Sequence, residues 1–239
     1  MGTDIRIGFM AIADFIKTNL VNVPVEKYQV LKNIVFQPDM FRRPFLSSTE
    51  IKTLNRFKAL KKQIEWLSGR FAVKKLVSSI SFVPNHYSDI IIDYEPDGAP
   101  YLPEYPDLPI SISHSGDYAA CALSRDSFIK IGIDIEKLDP SVIEHIFKVA
   151  FTDREQSILK RCSDTAVFEN WTAKEAYLKY IKKGFNESLK QVEVINGKIY
   201  HHRREVQGAA LFSTRIDNEY ALSLIYRVGP KTDCSNYAA

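Results

Sequence analysis

Isoleucine alternates with small or charged residues across residues 129–136, and this pattern constrains the fold more than any other feature of the chain. Successive side chains of a β-strand point to opposite faces, so the pattern predicts a strand with one apolar and one polar face. The apolar face carries Ile129, Ile131, Ile133 and Ile135, and the polar face carries Gly132, Asp134 and Glu136. We expect the apolar face to lie on a buried core, which leaves two carboxylates side by side on the other face.

Strand and helix patterns follow one another in blocks along the chain. Runs rich in β-branched residues predict strands at residues 5–12, 80–94, 109–113, 118–123, 128–136, 191–200, 211–216 and 220–226. Helical periodicity predicts two helices between residues 46 and 78 and two or three between residues 141 and 183. We expect 118–123 and 128–136 to pair antiparallel, and Asn196-Gly197 to form a hairpin turn. The order strands, helices, strands, helices, strands predicts an α+β protein with two similar halves.

A short internal repeat supports two halves. In two presumed helices a tryptophan is followed by a charged residue four positions on and a lysine eight positions on, at Trp66, Arg70 and Lys74 and again at Trp171, Glu175 and Lys179. The repeat predicts a duplicated fold whose corresponding helices face a shared cleft. We expect an N-terminal α+β half at residues 1–115 and a C-terminal half at residues 116–239 that carries the metal-binding motifs.

The composition is typical of a globular protein and excludes several classes. With 45% hydrophobic and 26% charged residues, the 239-residue chain resembles neither disordered nor fibrous proteins. The 32 Lys and Arg residues against 29 Asp and Glu give a net charge of +3, which does not indicate a nucleic-acid or membrane partner. Cys121, Cys162 and Cys234 have no metal-binding spacing, so we expect reduced thiols and a cytoplasmic location.

Glu175 supplies a third carboxylate for a possible metal site. It lies in the apolar stripe of a helix at residues 168–178, where a buried carboxylate needs a cation to balance it. Lys179 one turn away would supply that cation, and so would a metal ion shared with Asp134 and Glu136. Oxygen-only ligands favour Mg²⁺ or Mn²⁺. The alternatives are a strand whose polar face lies in water and a plain Glu–Lys pair on a helix.

A strand end and a basic helix offer groups that bind anions. Ser113 and His114 place a hydroxyl and an imidazole before the turn at Gly116, a set that suits phosphate oxygens, although a structural histidine is the alternative. The basic helix carries Lys61, Lys62, Arg70, Lys74 and Lys75. Such a region is equally typical of a solvated face. The chain contains no dinucleotide, P-loop, zincin or hydrolase-elbow motif.

Four motifs in a fixed order resemble those of the 4'-phosphopantetheinyl transferases, specifically the longer Sfp-type. They are S-I-S-H-S-G at residues 111–116, G-I-D-I-E at 132–136, F-T-D-R-E at 151–155 and W-T-A-K-E-A-Y-L-K at 171–179. L-S-G-R-F-A-V-K-K at residues 67–75 is similar to the N-terminal helix of that family. The resemblance implies a monomer of two pseudo-symmetric α+β halves, with coenzyme A and magnesium bound in an active-site cleft between them.

The resemblance also implies a role for each candidate residue. The magnesium ligands would be Asp134, Glu136 and Glu175. Coenzyme A would be bound through its pyrophosphate by Lys174 and Lys179, through its 3'-phosphate by Ser113 and His114, and through its nucleotide by Arg70 and Lys74. The chain departs from the family at one position, because Gly98-Ala99-Pro100 stands where the family often has Gly-Lys-Pro. Lys75, or another basic residue of the first helix, would then take over that phosphate contact.

The implied reaction is the attack of a carrier-protein serine on the β-phosphate of coenzyme A, which releases adenosine 3',5'-bisphosphate. Lys179 would neutralise the pyrophosphate together with magnesium. Glu175 is the first candidate for the base and Glu155 the second, because residues 151–155 place Glu155 at a helix start near the cleft. The partner would be an apo acyl or peptidyl carrier protein that docks by an acidic helix onto residues 151–159.

Two other functions remain open from the sequence. One is a non-catalytic module that binds coenzyme A or a carrier protein, and the other is a magnesium-dependent hydrolase of nucleotide pyrophosphates. The sequence leaves the type of carrier open among fatty-acid, polyketide, nonribosomal-peptide and aminoadipate-reductase carriers.

Overall fold

The computed structural model describes residues 5–11, 46–80 and 86–227, apart from a few side chains within them. The strands are β1 Ile5–Ala11, β2 Asp93–Tyr94, β3 Pro100–Tyr101, β4 Ile110–Ser115, β5 Tyr118–Ser124, β6 Ile131–Lys137, β7 Val192–Ile195, β8 Lys198–His201, β9 Arg204–Glu205, β10 Ala209–Ile216 and β11 Tyr220–Arg227. The α-helices are α1 Ser48–Leu54, α2 Leu60–Ser78, α3 Ile143–Ala150, α4 Asp153–Leu159 and α5 Asp164–Tyr180. Among these residues, no helix is both long and apolar enough to cross a membrane.

Two antiparallel sheets of three strands each carry one long helix, which confirms the predicted α+β class. The first sheet has the order β1-β5-β4 and packs against α2, and the second has the order β6-β11-β10 and packs against α5. In both sheets the strand that comes first in the chain lies on one edge and the strand that comes last lies in the centre. The shared order gives the two units the same topology, as expected for a duplicated fold.

The two units also share the same helix start. Ser47 caps α1 and Thr152 caps α4, and each hydroxyl accepts a hydrogen bond from the backbone N–H of a glutamate three residues on. These glutamates, Glu50 and Glu155, accept in return from the backbone N–H of the capping residue. Reciprocal caps of this kind satisfy two N–H groups that a helix start otherwise leaves unpaired. The predicted helix starts at residues 46–50 and 151–155 are therefore both confirmed.

The isoleucine face of β6 joins the two sheets. Ile131, Ile133 and Ile135 are buried against Ala120 and Ala122 of the central strand β5. Small alanine side chains let the isoleucines approach closely, so an apolar layer forms between the sheets. The alternation at residues 129–136 is therefore confirmed as one buried face of a strand.

Three serines on β4 connect the first sheet to β6. The Ser111 hydroxyl accepts from the Ile133 N–H at 3.0 Å, and the Ser113 hydroxyl donates to Asp134 at 2.7 Å. The Ser115 hydroxyl donates to Glu136 at 2.9 Å. These alternate side chains take the place of a backbone ladder between β4 and β6, and two of them hold the carboxylates of the polar face.

A small third sheet of β7, β8 and β9 follows α5. Its first turn is Asn196-Gly197, with φ values of 51° and 73°, which confirms the predicted hairpin. Its second turn, His202-Arg203, also has two positive φ values, at 49° and 63°. The strands β10 and β11 confirm the predicted pair at the end of the described chain.

The structure corrects two strand predictions. Residues 86–94 form a 3₁₀ turn at Tyr87–Asp89 and the two-residue strand β2, not a long strand, and residues 81–85 lie outside the described part. Strands β5 and β6 do not pair with each other, because β5 lies between β1 and β4 while β6 pairs with β11. Of the strand predicted at 5–12, residues 5–11 are confirmed as β1, and residues 12–45 are not described.

The strand pairing also bears on the division into halves. A boundary at residue 115 would fall inside the hairpin of β4 and β5, whose strands share one sheet. We propose instead that the first unit ends after β5, in the loop before β6. The whole first sheet then belongs to one half.

Candidate active site

A cleft of about 730 Å³ lies between the two units. Its walls include Trp66 and Arg70 from α2, His114 from β4 and Lys179 from the end of α5. The loop at residues 94–102 supplies a further, largely apolar wall. Both units therefore contribute to one concave site, and basic residues from each of them line it.

Arg70 is a buried member of this wall. Its side chain is 2% exposed, and its guanidinium lies 4.0 Å from the centroid of the Trp66 ring and 4.9 Å from that of Tyr94. Burial lowers the pKa of Arg70, while Tyr94 and Glu50 act in the opposite direction. The sequence prediction that Arg70 reaches the cleft is consistent with this position.

Asp134 is the central acid of the site. It is buried, and its Oδ1 accepts from the Lys179 ammonium and from the Ser113 hydroxyl, each at 2.7 Å. Its Oδ2 atom is also buried and has no hydrogen-bond partner among the described residues. A buried carboxylate oxygen without a partner is costly, so this atom is suited to a cation.

Glu136 and Glu175 lie in the same electrostatic environment. Burial, and then the charge of Asp134, raise the pKa of Glu136 to about 7, although the Ser115 hydroxyl and Lys179 oppose the shift. Burial and Asp134 also raise the pKa of Glu175, with Lys179 opposing. Three carboxylates thus share one lysine, which leaves an excess of negative charge that favours a divalent cation.

The carboxylate oxygens of Asp134, Glu136 and Glu175 are farther apart than the ligand atoms around a bound ion. Among the described residues, the only set of three His, Cys, Asp or Glu side chains with ligand atoms all within 4.8 Å of one another is a different one, Glu187, His201 and His202. The donor set of Asp134, Glu136 and Glu175 fits magnesium by chemistry and charge. Its oxygens would have to move together to share an ion.

Gly132 sets the spacing between the two elements that carry these acids. A Cβ atom at this position would lie 2.1 Å from the Ala176 carbonyl oxygen and 2.4 Å from the Tyr180 nitrogen. The absence of a side chain therefore lets β6 lie directly against the backbone of α5. The helix fills the space beside Gly132, so this glycine leaves no room for a ligand.

His114 lines the cleft as predicted, but Ser113 does not point freely into it. The His114 Nδ1 lies 3.8 Å from Glu65, and the side chain is 36% exposed. Burial lowers the pKa of His114, while Glu65 opposes and Lys179 adds to the shift. Ser113 is 6% exposed and its hydroxyl donates to Asp134. Its hydroxyl proton is therefore directed at a carboxylate and not at a phosphate.

Two lysines predicted to contact coenzyme A and one predicted base are buried in ion pairs. Lys174 donates to Glu155 and Lys74 to Glu50, each at 2.6 Å, and the four side chains are at most 3% exposed. None of the four lines the cleft. They join a long helix to the capping glutamate of a short one, and the pairs correspond between the two units.

These pairs also correct the repeat found in the sequence. Lys74 follows its tryptophan by eight positions, whereas Lys174 follows Trp171 by three. The structural repeat therefore consists of the capping glutamate and its buried lysine. The spacing of Trp66, Arg70 and Lys74, applied to the second long helix, locates Lys179 and not the buried lysine, Lys174.

Two lysines that the sequence did not single out line the cleft. Lys130 precedes β6, and Lys182 follows α5 with its ammonium 2.6 Å from Glu95. Lys75, expected to replace the missing lysine at Ala99, is exposed on α2 and is not part of the cleft wall. The spacing of Lys179 and Lys182, three residues apart at a helix end, is the signal that would have found Lys182.

Comparison with known proteins shows which family resembles the region that carries these carboxylates. Residues 130–225 match the sequence model of the 4'-phosphopantetheinyl transferase superfamily. This region is thus similar to the proteins of that superfamily. It includes the second sheet, α5 and all three acids of the cleft, so the resemblance seen in the motifs is confirmed.

Curated relatives carry the same family name. The chain is 31% identical over 157 residues to the 4'-phosphopantetheinyl transferase HetI of Nostoc, a match that covers 62% of this chain and 64% of the relative. It is 30% identical over 143 residues to the L-aminoadipate-semialdehyde dehydrogenase-phosphopantetheinyl transferase of Xenopus laevis, covering 53% and 46%. The chain thus spans about half to two thirds of the length of these phosphopantetheinyl transferases.

A solved structure is also similar over part of the chain. It is the holo-[acyl-carrier-protein] synthase of Helicobacter pylori in complex with coenzyme A, at 25% identity and a TM-score of 0.34. The match covers 50% of this chain and 96% of the synthase.

Proposed function

We propose that the chain is a 4'-phosphopantetheinyl transferase that uses coenzyme A to modify a serine of an apo acyl or peptidyl carrier protein. The observation that carries the proposal is the acidic cluster of Asp134, Glu136 and Glu175 around Lys179, within a region that matches the sequence model of this superfamily. The products would be the holo-carrier protein and adenosine 3',5'-bisphosphate.

The cleft supplies a complementary environment for coenzyme A. Its basic side chains, Lys130, Lys179 and Lys182, face a space large enough for a nucleotide, and His114 lies on the same wall. Lysine ammonium groups and a histidine N–H suit phosphate oxygens. Trp66 and the apolar loop wall would exclude water from the other side of the ligand. In this proposal Ser113 orients Asp134 and does not contact a phosphate.

Magnesium, with manganese as a substitute, would be held by Asp134, Glu136 and Glu175. The unpartnered Oδ2 of Asp134 and the raised pKa values of the two glutamates fit a divalent cation at this position. When bound there, the ion would neutralise charge that builds up on the pyrophosphate during transfer. Lys179 adds a second positive charge at the same place, through the contact it already makes to Asp134.

Glu175 is the proposed base for the serine proton. Its raised pKa brings it closer to the working range of a general base than a solvent-exposed glutamate would be. Glu155 is unsuited to this role, because its carboxylate is fully buried and binds Lys174 and the backbone N–H of Val194. We therefore assign Glu155 a structural role only.

The carrier protein would dock beside α3 and α4. Val149 and Ile158 are more than 40% exposed there, and Arg154 extends a guanidinium that is 56% exposed. A surface that combines apolar and basic groups suits an acidic amphipathic helix. Phe151, which the sequence placed on this surface, is fully buried and supports it from below. A monomer in the cytoplasm is the state in which we propose the protein acts.

The test of the proposed function is intact-mass spectrometry of several purified apo-carriers after incubation with the protein, coenzyme A and Mg²⁺. We expect at least one carrier to gain roughly 340 Da, the mass of the transferred phosphopantetheine. Adenosine bisphosphate should appear only when an apo-carrier is present. Its release without a carrier would instead identify a pyrophosphate hydrolase, and binding without any release would identify a non-catalytic module.

A further inference from the structure

Three side chains of the types that bind metal ions lie close together beside the third sheet. They are Glu187, which follows a 3₁₀ turn at Gly184–Asn186, and His201 and His202, at the end of β8. Their ligand atoms all lie within 4.8 Å of one another. None of the three belongs to the cleft wall or to the acidic cluster described above.

The turn after β8 is what brings two consecutive histidines together. Neighbouring residues of a regular strand point to opposite faces, so their rings should be far apart. Here His202 leaves the strand with a φ of 49°, and the two imidazoles stack with their centroids 4.2 Å apart. The first turn of the same sheet uses Asn196-Gly197, which adopts positive φ at lower cost. The second turn instead places a histidine at a positive φ, although a two-residue turn does not require this side chain.

The distances are close to those of a zinc site. His201 Nε2 and His202 Nε2 lie 3.6 Å and 3.8 Å from the same Glu187 oxygen, Oε2. Zinc–ligand bonds of about 2.0–2.1 Å in a tetrahedron separate neighbouring ligand atoms by about 3.3 Å. Both nitrogen-to-carboxylate distances are therefore within about half an ångström of this spacing, and the three side chains offer ligand atoms that all lie within 4.8 Å of one another. Two nitrogens and one oxygen are a donor set typical of Zn²⁺ with water as the fourth ligand.

Gln191 orients one of the two imidazoles for this purpose. The Nδ1 atom of His202 lies 3.0 Å from the side-chain oxygen of Gln191. An amide oxygen only accepts hydrogen bonds, so this contact places a proton on Nδ1 and, in the neutral ring, leaves Nε2 as the nitrogen that can bind a metal ion. Metal-bound histidines regularly have such a partner on their second nitrogen. This hydrogen bond is present before any metal binds.

His201 supplies a second, independent observation that points to a ligand. Its Nε2 is buried and has no hydrogen-bond partner among the described residues, although it faces Glu187. Its ring packs edge-on against Tyr177 of α5, with centroids 5.5 Å apart. The imidazole is thus held in place beside Glu187 with a buried ring nitrogen, the atom through which histidine binds metal.

We propose that Glu187, His201 and His202 form a Zn²⁺ site that is separate from the magnesium site of the cleft. The bound ion would connect the segment after α5 to the turn between β8 and β9. That segment begins at Lys182 and Gly184, which line the cleft. Zinc would therefore stabilise the third sheet and the end of the cleft wall together.

The site is tested by zinc titration of the tag-free, metal-depleted full chain, followed by calorimetry and by thermal unfolding. We expect one high-affinity Zn²⁺ per chain, and a rise in Tm of about 5 to 10 °C when free zinc exceeds its Kd a hundredfold. Magnesium at millimolar concentration should not displace it. Cobalt in place of zinc should give the intense visible absorption of a four-coordinate ion.

Variants separate this site from casual surface binding. His202→Ala and Glu187→Gln should each abolish the high-affinity site, and Gln191→Ala should weaken it about 10- to 100-fold although it removes no ligand. Asp134→Ala should leave zinc binding unchanged, because it alters the cleft only. His145→Ala, which removes an exposed histidine from α3, is the matched control and should also have no effect.

Some results would overturn the zinc site. They are a wild-type protein that binds no zinc below about 100 µM, far weaker than zinc sites of this kind, or binding that Asp134→Ala removes while His202→Ala does not. Equal loss in His145→Ala and His202→Ala would also overturn it, since the site would then be nonspecific. Because the readout is metal binding and stability, the result is independent of whether the chain transfers phosphopantetheine.

Discussion

The Lys174 ammonium donates to the Glu155 carboxylate at 2.6 Å, and neither side chain has any exposed surface. Glu155 also caps its own helix and accepts from the Val194 N–H, while Lys174 donates to the Ala150 carbonyl oxygen. Both charged groups are therefore fully hydrogen-bonded, as buried ions must be. This ion pair joins α4, α5 and β7.

Breaking this ion pair is expected to unfold the protein more easily without removing a catalytic group. Glu155→Gln should lower the free energy of unfolding by about 3 to 5 kcal/mol, because it leaves Lys174 charged and buried. Denaturant titration measures this loss. Glu205→Gln, which breaks the exposed pair with Lys198, is the control and should cost far less stability, because water already solvates both charges.

The same variant also decides between a structural and a catalytic role. At a temperature where Glu155→Gln is still folded, its turnover should stay within about threefold of wild type, far from the loss caused by removing a base. A variant with wild-type stability and strongly reduced turnover would return Glu155 to the list of catalytic candidates.

Replacing Gly132 by alanine is expected to separate β6 from α5. The new Cβ would collide with backbone atoms of Ala176 and Tyr180, which cannot move aside as a side chain would. We expect the free energy of unfolding to fall by at least about 2 kcal/mol. The Mg²⁺-dependent activity should fall as well, because Asp134 and Lys179 are moved apart. Gly69→Ala is the milder control, since its Cβ would meet only a methyl group of Ile112 at 3.0 Å. Equal behaviour of the two variants would contradict this reading of Gly132.

The raised pKa of Glu136 predicts a specific dependence of stability on pH. A carboxyl with a pKa of about 7 in the folded state and about 4.5 when unfolded stabilises the fold while it is protonated, and this contribution is lost as pH rises from about 4.5 to 7. In EDTA, Glu136→Gln should therefore lose less stability than wild type over this interval. With Mg²⁺ the order should reverse above pH 7, because the wild-type carboxylate gains a cation. Thermal melts at several pH values measure both effects, and parallel curves for the two proteins in EDTA would argue against the shift.

Lys182 is expected to bind coenzyme A in place of the lysine that is missing at Ala99. Lys182→Ala should raise the KM for coenzyme A about tenfold with little change in kcat, because one cation worth roughly 1.4 kcal/mol is removed from the ligand. Lys75→Ala, on the exposed side of α2, is the control. A larger effect of the Lys75 variant would support the contact expected from the sequence alone.

Much of the fold could be predicted because local patterns dictated it. The alternation at 129–136, the hydroxyl-to-glutamate caps at Ser47 and Thr152 and the turn at Asn196-Gly197 depend on residues close in the chain. Strand partners could not be predicted in this way. The pairing of β6 with β11 joins residues about ninety positions apart, and nothing in either strand alone excludes β5 as the partner.

In the candidate site, the positions of the acids on their strand and helix follow from local patterns, whereas the burial of Lys74 and Lys174 does not. Asp134, Glu136 and Glu175 follow from strand and helix spacing, because the apolar face of each element is clear. Lys74 and Lys174 lie on helices in positions where a lysine in the cleft and a lysine buried with a glutamate give the same local pattern. Only the distant partner, Glu50 or Glu155, decides between the two.

The central claim is that the acids of the cleft support transfer of phosphopantetheine. Its most direct test is the rate of mass gain of an apo-carrier protein with wild type, Asp134→Ala and Glu175→Ala at saturating Mg²⁺, with the exposed variant Glu205→Gln as control. We predict that both acid variants are slower by about a hundredfold or more while the control matches wild type. Modification by Asp134→Ala and Glu175→Ala at near wild-type rates would contradict the account.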